Sequence, residues 1–152
     1  MKDAPARPLI PRRQVLVAMS AVMLPAAAQN AERRVEVSLL PDGAVRSFED
    51  AISDFEAVSY VVPLVAGQTL QVVLASSNAA NCFDIHAPQQ PKPVYVGGES
   101  GNSHRFLART AGPHLVRVFL LRFAARDGQS ARYTLELALT GPTAHEPGVV
   151  MR

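Results

Sequence analysis

The residues that could ligate a metal ion are few and scattered along the chain. One cysteine and four histidines occur in 152 residues. The histidines show no HxH or HxxxH spacing, and no carboxylate pattern accompanies them; they are His86, His104, His114 and His145. A single cysteine excludes an intrachain disulfide and a multi-cysteine zinc site. We therefore predict surface or strand-end histidines and no cofactor, with a metal site assembled from distant loops as the alternative.

Nucleophilic chemistry has no positive signal in the sequence. Serine, histidine and aspartate are present, but there is no GxSxG elbow and no paired-carboxylate motif. Cys82 opens a segment of alternating character, residues 82–86, which predicts a buried small apolar residue rather than a nucleophile. The sequence thus favours a protein that is not an enzyme, with an enzyme of unrecognised type as the alternative.

Charged residues are unevenly placed along the chain. Acidic residues crowd one segment that contains only Arg46 as a base: Asp42, Glu49, Asp50, Asp54 and Glu56. Arginines dominate a later segment that contains only Asp127 as an acid: Arg105, Arg109, Arg117, Arg122, Arg126 and Arg132. Arginine pairs with carboxylates in a bidentate geometry and tolerates partial burial, so this cluster suits a protein interface. The alternative is that these arginines pair with the acidic segment or solvate strand faces.

Two loops are candidates for binding a partner. Arg122 follows the apolar run 115–121 and begins a polar stretch, so it is predicted to lie where a strand enters a loop. Loops on a rigid scaffold commonly carry binding residues. The second loop, residues 97–103, contains three glycines, which suit a backbone that enters a cleft and equally suit a hairpin connection.

The N-terminus has the pattern of an export signal. Lys2, Arg7 and the pair at 12–13 precede ten residues without charge, 15–24, and then Pro25 and three alanines. This order is typical of a secretory signal peptide, and the apolar run is shorter than the roughly 20 residues that span a bilayer. We predict a signal peptide over residues 1–28, a periplasmic mature chain without stable membrane insertion, and either the general secretory or the twin-arginine route.

Removing that segment changes the charge of the protein. The whole chain carries a formal +2. Residues 1–28 contain four basic residues and one acidic residue, so the mature chain is near −1. A basic excess is the main support for binding to nucleic acid, and the mature chain lacks it. We therefore expect no nucleic-acid partner.

The rest of the chain reads as short strands between turns. Residues 133–140 have a large apolar side chain at every second position, Tyr133 to Leu139, and residues 35–39 and 69–74 repeat the pattern. Period-two alternation predicts strands with one buried face. We predict an all-β antiparallel sandwich, jelly-roll-like, of about eight strands. Its parts are a lead-in strand in 29–44, the sandwich in 45–140 and a loosely ordered tail in 141–152. The acidic stretch 48–58 is predicted to be an exposed turn.

Several segments together resemble a known family. They are YVVPLVAGQTL at 60–70, VYVG at 94–97, GN at 101–102, VRVFLLR at 116–122 and ARYTL at 131–135. Over about residues 45–140 the chain resembles the bacterial periplasmic inhibitors of goose-type lysozyme. These have a β-sandwich like that of pre-peptidase C-terminal domains. Since the Ala-Gly-Gln segment is shared with those domains, it supports the fold more than the function.

The resemblance implies a protein that plugs the active-site cleft of a goose-type lysozyme. Its partner-binding residues would be Arg122, Tyr60, Asn102, Gly101 and Arg126, with the Arg122 guanidinium inserted opposite an acidic group of the cleft. Two departures from the family pattern bear on target range. An apolar Phe123 follows the arginine, and the upstream region has a single tyrosine. The alternative is a pre-peptidase-type module that binds a protein or saccharide without inhibiting lysozyme.

Overall fold

Two β-sheets make up the described part of the molecule. The computed structural model describes residues 32–39 and 42–142. The elements are β1 (Glu32–Glu36), β2 (Val45–Ser53), β3 (Ala57–Leu64), β4 (Thr69–Ser76), β5 (Asn81–His86), β6 (Tyr95–Val96), α1 (Gly97–Ser100), β7 (Ser103–Leu107), β8 (Gly112–Leu120), α2 (Arg122–Arg126) and β9 (Ser130–Thr140). Within these ranges no helix is long and apolar enough to cross a membrane. The predicted signal peptide and residues 143–152 lie outside the described residues.

The sheets are five and four strands wide. The first has the order β1-β3-β8-β5-β6 and the second β2-β9-β4-β7. All pairs are antiparallel except β1 with β3, which run parallel in the register Glu32 to Ala57. The prediction of an all-β antiparallel sandwich is confirmed, with nine strands in the described residues rather than about eight. The parallel strand could not be read from the sequence, because alternation does not reveal strand direction.

The core lies between the two sheets and follows the alternation of the sequence. In β9 the buried positions are Tyr133, Leu135, Leu137 and Leu139, while the residues between them are exposed or half-buried. In β8 the inward series is His114, Val116, Val118 and Leu120. Each buried Val or Leu contributes about 1.5–3 kcal/mol by leaving water, so this shared face fixes the strand registers.

The acidic stretch 48–58 is a strand and a tight turn, and the prediction of an exposed turn throughout is wrong. Strand β2 continues to Ser53, and its inward side chains include Phe48 and Ile52. The Asp50 carboxylate is compensated because Arg33 of β1 pairs with it at 2.8 Å. A distant arginine therefore allows an acidic sequence to form a strand, and this partner cannot be seen from local composition.

A buried hydrogen bond joins the two sheets inside the core. The hydroxyl groups of Tyr60 in β3 and Tyr133 in β9 lie 2.9 Å apart. The Phe48 ring packs at 5.2 Å from the Tyr60 ring. Burial raises the pKa of both tyrosines, so both hydroxyls are protonated at neutral pH and one donates to the other.

This pair generates a prediction about stability. Replacing either tyrosine alone (Tyr60→Phe or Tyr133→Phe) leaves the other hydroxyl buried and unpaired. We expect each single change to lower the free energy of unfolding by about 1–3 kcal/mol. The double variant should lose less than the sum of the two, since both polar groups are then gone. Urea denaturation monitored by circular dichroism measures all four proteins, and strictly additive losses would contradict the coupling.

Candidate functional site

Four connecting segments meet at one end of the sandwich. They are the turn 54–56, residues 77–80, α1 with residues 101–102, and residues 121–129 around α2. Backbone hydrogen bonds tie them together: the Asp54 amide donates to the Gln129 carbonyl at 3.0 Å, and the Leu121 amide donates to the Ala80 carbonyl at 2.8 Å. We call this region the loop end. It collects segments that are up to 75 residues apart in sequence.

Glycines allow α1 to pack closely on its neighbours. A Cβ at Gly97 would collide with the Phe83 carbonyl oxygen, and one at Gly98 would lie 2.9 Å from the Leu121 side chain. Gly101 has φ +101°, a conformation that favours glycine, and its carbonyl accepts a hydrogen bond from the Tyr95 hydroxyl. The glycine-rich loop is therefore a one-turn helix held against β5 and against the residue that precedes Arg122.

The one-turn helix α2 exposes the candidate arginines. Ala124 and Ala125 are buried beneath it, while Arg122, Phe123 and Arg126 are exposed. The Phe123 side chain is 60% exposed, which is unusual for a large apolar residue. Two small residues on the inner face thus seat the helix, and its outer face presents two positive charges with an aromatic ring between them in sequence.

The ion pairs leave both α2 arginines available. Three pairs occur among residues 32–39 and 42–142: Arg33–Asp50 at 2.8 Å, Arg34–Glu36 at 3.3 Å and Arg117–Glu32 at 3.5 Å. In this part of the chain no pair joins an arginine of 105–132 to an acid of 42–56. Instead β1 supplies the counter-charge for Arg117 and for Asp50.

A groove runs from Arg122 onto the face of the first sheet. Its volume is about 500 Å³, and its lining comprises Phe55, Glu56, Arg117, Phe119, Leu120 and Arg122. The Arg117 guanidinium lies over the Phe119 ring at 5.1 Å. The Glu56 carboxylate already accepts hydrogen bonds from the Ser53 amide at 2.8 Å and its hydroxyl at 3.2 Å. The groove therefore combines three apolar side chains with two arginines and one carboxylate.

The structure brings four of the five predicted site residues to the loop end. Arg122, Arg126 and Gly101 are exposed there, and Asn102 is half-buried, with its side-chain amide donating to the Asn81 carbonyl at 3.2 Å. Tyr60 must be removed from the set: its side chain is 1% exposed and bonded inside the core, so it offers no surface to a partner. Residues 57–62 of β3 are all buried, so Tyr60 is part of the core.

Sequence reasoning missed Phe55. This residue is 46% exposed in the turn beside α2 and lines the groove. A usable signal was present, because Phe55 is an apolar residue between Asp54 and Glu56, in a segment read as an exposed turn. Phe123 carried the same signal, an aromatic residue directly after an arginine at a predicted strand end.

Among the described residues no cluster of three or more His, Cys, Asp or Glu could hold a metal ion. His145 lies outside the described ranges. The prediction for Cys82 is confirmed, since the residue is buried and its burial raises the pKa of the thiol from 9.0 to about 11. A thiol with that pKa is almost entirely protonated at neutral pH, and it packs as a small apolar group.

The described residues therefore define a β-sandwich that carries its candidate site on connecting segments at one end. No protein-family model matches the chain, and no curated protein matches its sequence. Solved structures do match. The structure is similar to Aeromonas hydrophila PliG, a periplasmic lysozyme inhibitor of g-type lysozyme, with a TM-score of 0.62 and 20% identity over 72% of this chain and 97% of that one.

Two further PliG structures agree. The inhibitor from Salmonella Typhimurium gives a TM-score of 0.56 and 16% identity over 71% of this chain and 98% of that one. A mutant of the Escherichia coli inhibitor gives a TM-score of 0.57 and 17% identity over 72% of this chain and 100% of that one. At these identities the comparison establishes the fold: the chain has the β-sandwich of the periplasmic g-type lysozyme inhibitors. The resemblance to this family that the sequence indicates is confirmed for the fold.

The buried thiol gives a test of the packing at the loop end. A rise in pKa from 9.0 to about 11 lowers the thiolate fraction at pH 8 by up to about 100-fold. We expect the native protein to react with a disulfide reagent at least that much more slowly than the urea-unfolded chain. Cys82→Ser, which removes the single cysteine, is the control. Equal labelling rates in the two states would contradict the burial of Cys82.

Proposed function

We propose that the mature chain is an exported inhibitor of a goose-type lysozyme, which it blocks by seating the loop end in the active-site cleft. The observation that carries this proposal is Arg122, which is exposed and lacks an ion-pair partner in the described residues, at the end of a sandwich that matches three PliG structures. The predicted signal peptide would bring the chain to the periplasm. The mode of action is occlusion, with no chemistry performed on the cell wall.

The chemistry of a glycosidase cleft suits an inserted arginine. Glycoside hydrolysis generally uses carboxyl groups that flank the scissile bond. A guanidinium that enters the cleft can form two parallel hydrogen bonds to one carboxylate. Because Arg122 is exposed and free of an internal ion pair in the described residues, it need not break one before it binds. Arg126 lies one helical turn away and adds positive charge to the same surface.

Apolar contacts would hold the arginine in place. Phe123 and Phe55 are 60% and 46% exposed at the loop end, and three apolar residues line the groove behind Arg122. Aromatic residues, phenylalanine included, and arginine are enriched in protein interfaces. We infer that the rim of the cleft covers Phe123 and that a projecting side chain of the partner occupies the groove.

The first prediction of this proposal concerns the inserted arginine. Arg122→Ala should raise the concentration of residues 29–152 needed for half-inhibition of a goose-type lysozyme by about tenfold to 100-fold, since a charge-assisted hydrogen bond contributes about 1.5–3 kcal/mol. Lysis of a cell-wall suspension measures inhibition. Arg46→Ala is the matched control, because Arg46 is exposed on β2 away from the loop end.

Two results would contradict the proposal. One is the absence of inhibition at stoichiometric excess against several goose-type lysozymes. The other is an equal effect of Arg122→Ala and Arg46→Ala. Retention of the protein on insoluble peptidoglycan without lysozyme would favour a saccharide-binding module instead. Because exposed charges are screened by salt, inhibition should also weaken as ionic strength rises.

The second prediction concerns the aromatic ring next to that arginine. Phe123→Ser should weaken inhibition by about fivefold to 30-fold, since covering a large apolar side chain stabilises a complex by about 1–2 kcal/mol. Val45→Ser is the matched control, because Val45 is 58% exposed at the start of β2. Both changes remove exposed apolar surface, so their effects on folding should be equally small. If Phe123→Ser leaves the concentration needed for half-inhibition unchanged, the ring is excluded from the interface.

A further inference from the structure

A second cavity lies at the opposite end of the sandwich. Its volume is about 370 Å³, and it opens between strand β7, the loop 87–94 and the turn 108–111. Its lining includes Val94, His104, Arg105, Phe106, Leu107, Arg109 and His114. We call it the far-end cavity. None of these residues belongs to the loop end, so the proposed lysozyme contact does not use it.

The far-end cavity contains a buried imidazole with an unused nitrogen. His114 is fully buried, and its Nδ1 lies 2.9 Å from the Gly112 carbonyl oxygen. Because a carbonyl only accepts, Nδ1 carries the proton and donates. Burial lowers the pKa of His114, so the ring is neutral at pH 7 and Nε2 is a hydrogen-bond acceptor. Nε2 has no hydrogen-bond partner among the described protein atoms.

Part of the cavity wall is apolar or aromatic. The Phe106 ring lies 5.5 Å from the His114 ring, and the His104 ring stacks on Tyr95 at 4.0 Å. Val94 and Leu107 are 45% and 50% exposed at its edge. These are two of the five large apolar side chains exposed in the described residues, so the cavity and its rim offer apolar surface to a ligand.

The charge of the cavity has one sign. Arg105 and Arg109 line it, and its lining contains no aspartate or glutamate. In the described residues neither arginine forms an ion pair, although Arg105 makes a long hydrogen bond of 3.4 Å to Gln71. Arg109 is exposed at the mouth. An anionic group on a ligand would therefore meet a guanidinium there, while its apolar body would meet Phe106 and Leu107.

We propose that the far-end cavity binds a small amphipathic carboxylate: an apolar or aromatic body with a carboxylate at one end and a hydroxyl or N–H donor at the other. The carboxylate pairs with Arg109 at the mouth, and the donor bonds to Nε2 of His114 at the base. Nε2 is covered in this structure, and the Phe106 ring packs against the imidazole, so binding requires that ring to move. Each of the three chemical features thus has its own partner in the chain.

The test ligand is 4-hydroxyphenylacetate, which has a ring, a carboxylate and a hydroxyl donor. We expect binding to residues 29–152 with a dissociation constant of about 1 mM or tighter, a usual affinity for a ligand of this size. Nuclear magnetic resonance should show the largest shifts at the His114 Nε2 and the Phe106 ring. Two analogues each lack one feature: 4-methoxyphenylacetate lacks the donor, and 2-(4-hydroxyphenyl)ethanol lacks the carboxylate.

Variants and analogues separate the two polar contacts. Arg109→Gln should weaken binding of 4-hydroxyphenylacetate by at least about fivefold, as loss of a charge-assisted hydrogen bond implies, and should have little effect on the neutral analogue. His114→Phe should abolish the preference for the hydroxyl over the methoxy compound. If His114→Phe fails to fold, the methoxy analogue on the unchanged protein still tests the donor. Arg132→Ala, which changes an exposed arginine of β9 outside the cavity, should leave the affinity for 4-hydroxyphenylacetate unchanged.

The proposal fails if His114 and Phe106 resonances do not move at about 20 mM ligand, well above the expected dissociation constant. It also fails if Arg109→Gln binds as tightly as the unchanged protein, or if the three compounds bind equally. None of these outcomes depends on lysozyme. A failed titration therefore leaves the proposed inhibition untouched, and a failed inhibition assay leaves the proposed ligand site untouched.

Discussion

The register of strand β8 is the constraint on which the rest of the molecule depends. It lies at the centre of the first sheet, between β3 and β5, and every second side chain enters the core. The same alternation places His114 inside the sandwich at its start and Leu120 in the core at its end. Two residues later the chain reaches Arg122 at the surface. A slip of one residue would turn the core face outward and displace both ends.

Strand β1 supplies the ion-pair partners of two charged residues on other strands. It carries charges of both signs, and it pairs Glu32 with Arg117 and Arg33 with Asp50. The first pair fixes the position of Arg117 in the groove, and the second compensates the charge of Asp50 in β2, a strand of the second sheet. Within the described residues, the arginines of α2 take no part in this pairing. Arg105 and Arg109, at the far-end cavity, also form no ion pair in these residues, so unpaired positive charge lies at both ends of the sandwich.

The likeness to PliG structures illustrates how far a sequence can diverge while the fold is kept. At 16% to 20% identity the sheets match, because a core needs only apolar residues of suitable size at alternating positions. The outer face of α2 is under no such constraint. Phe123 can therefore follow Arg122 without cost to packing, and any consequence it has concerns the partner rather than the fold.

The sequence by itself determined the all-β class, most strands, the buried Cys82 and the likeness to a family fold. These depend on alternation and turn residues, which act locally. It also singled out Arg122, from its place at the end of an apolar run. Tertiary structure decided the rest: that Tyr60 is core, that Arg33 stabilises Asp50 in a strand, and that Phe55 lies beside Arg122. The physical reason is that each of these depends on a contact between strands distant in sequence, which only the sheet order brings together.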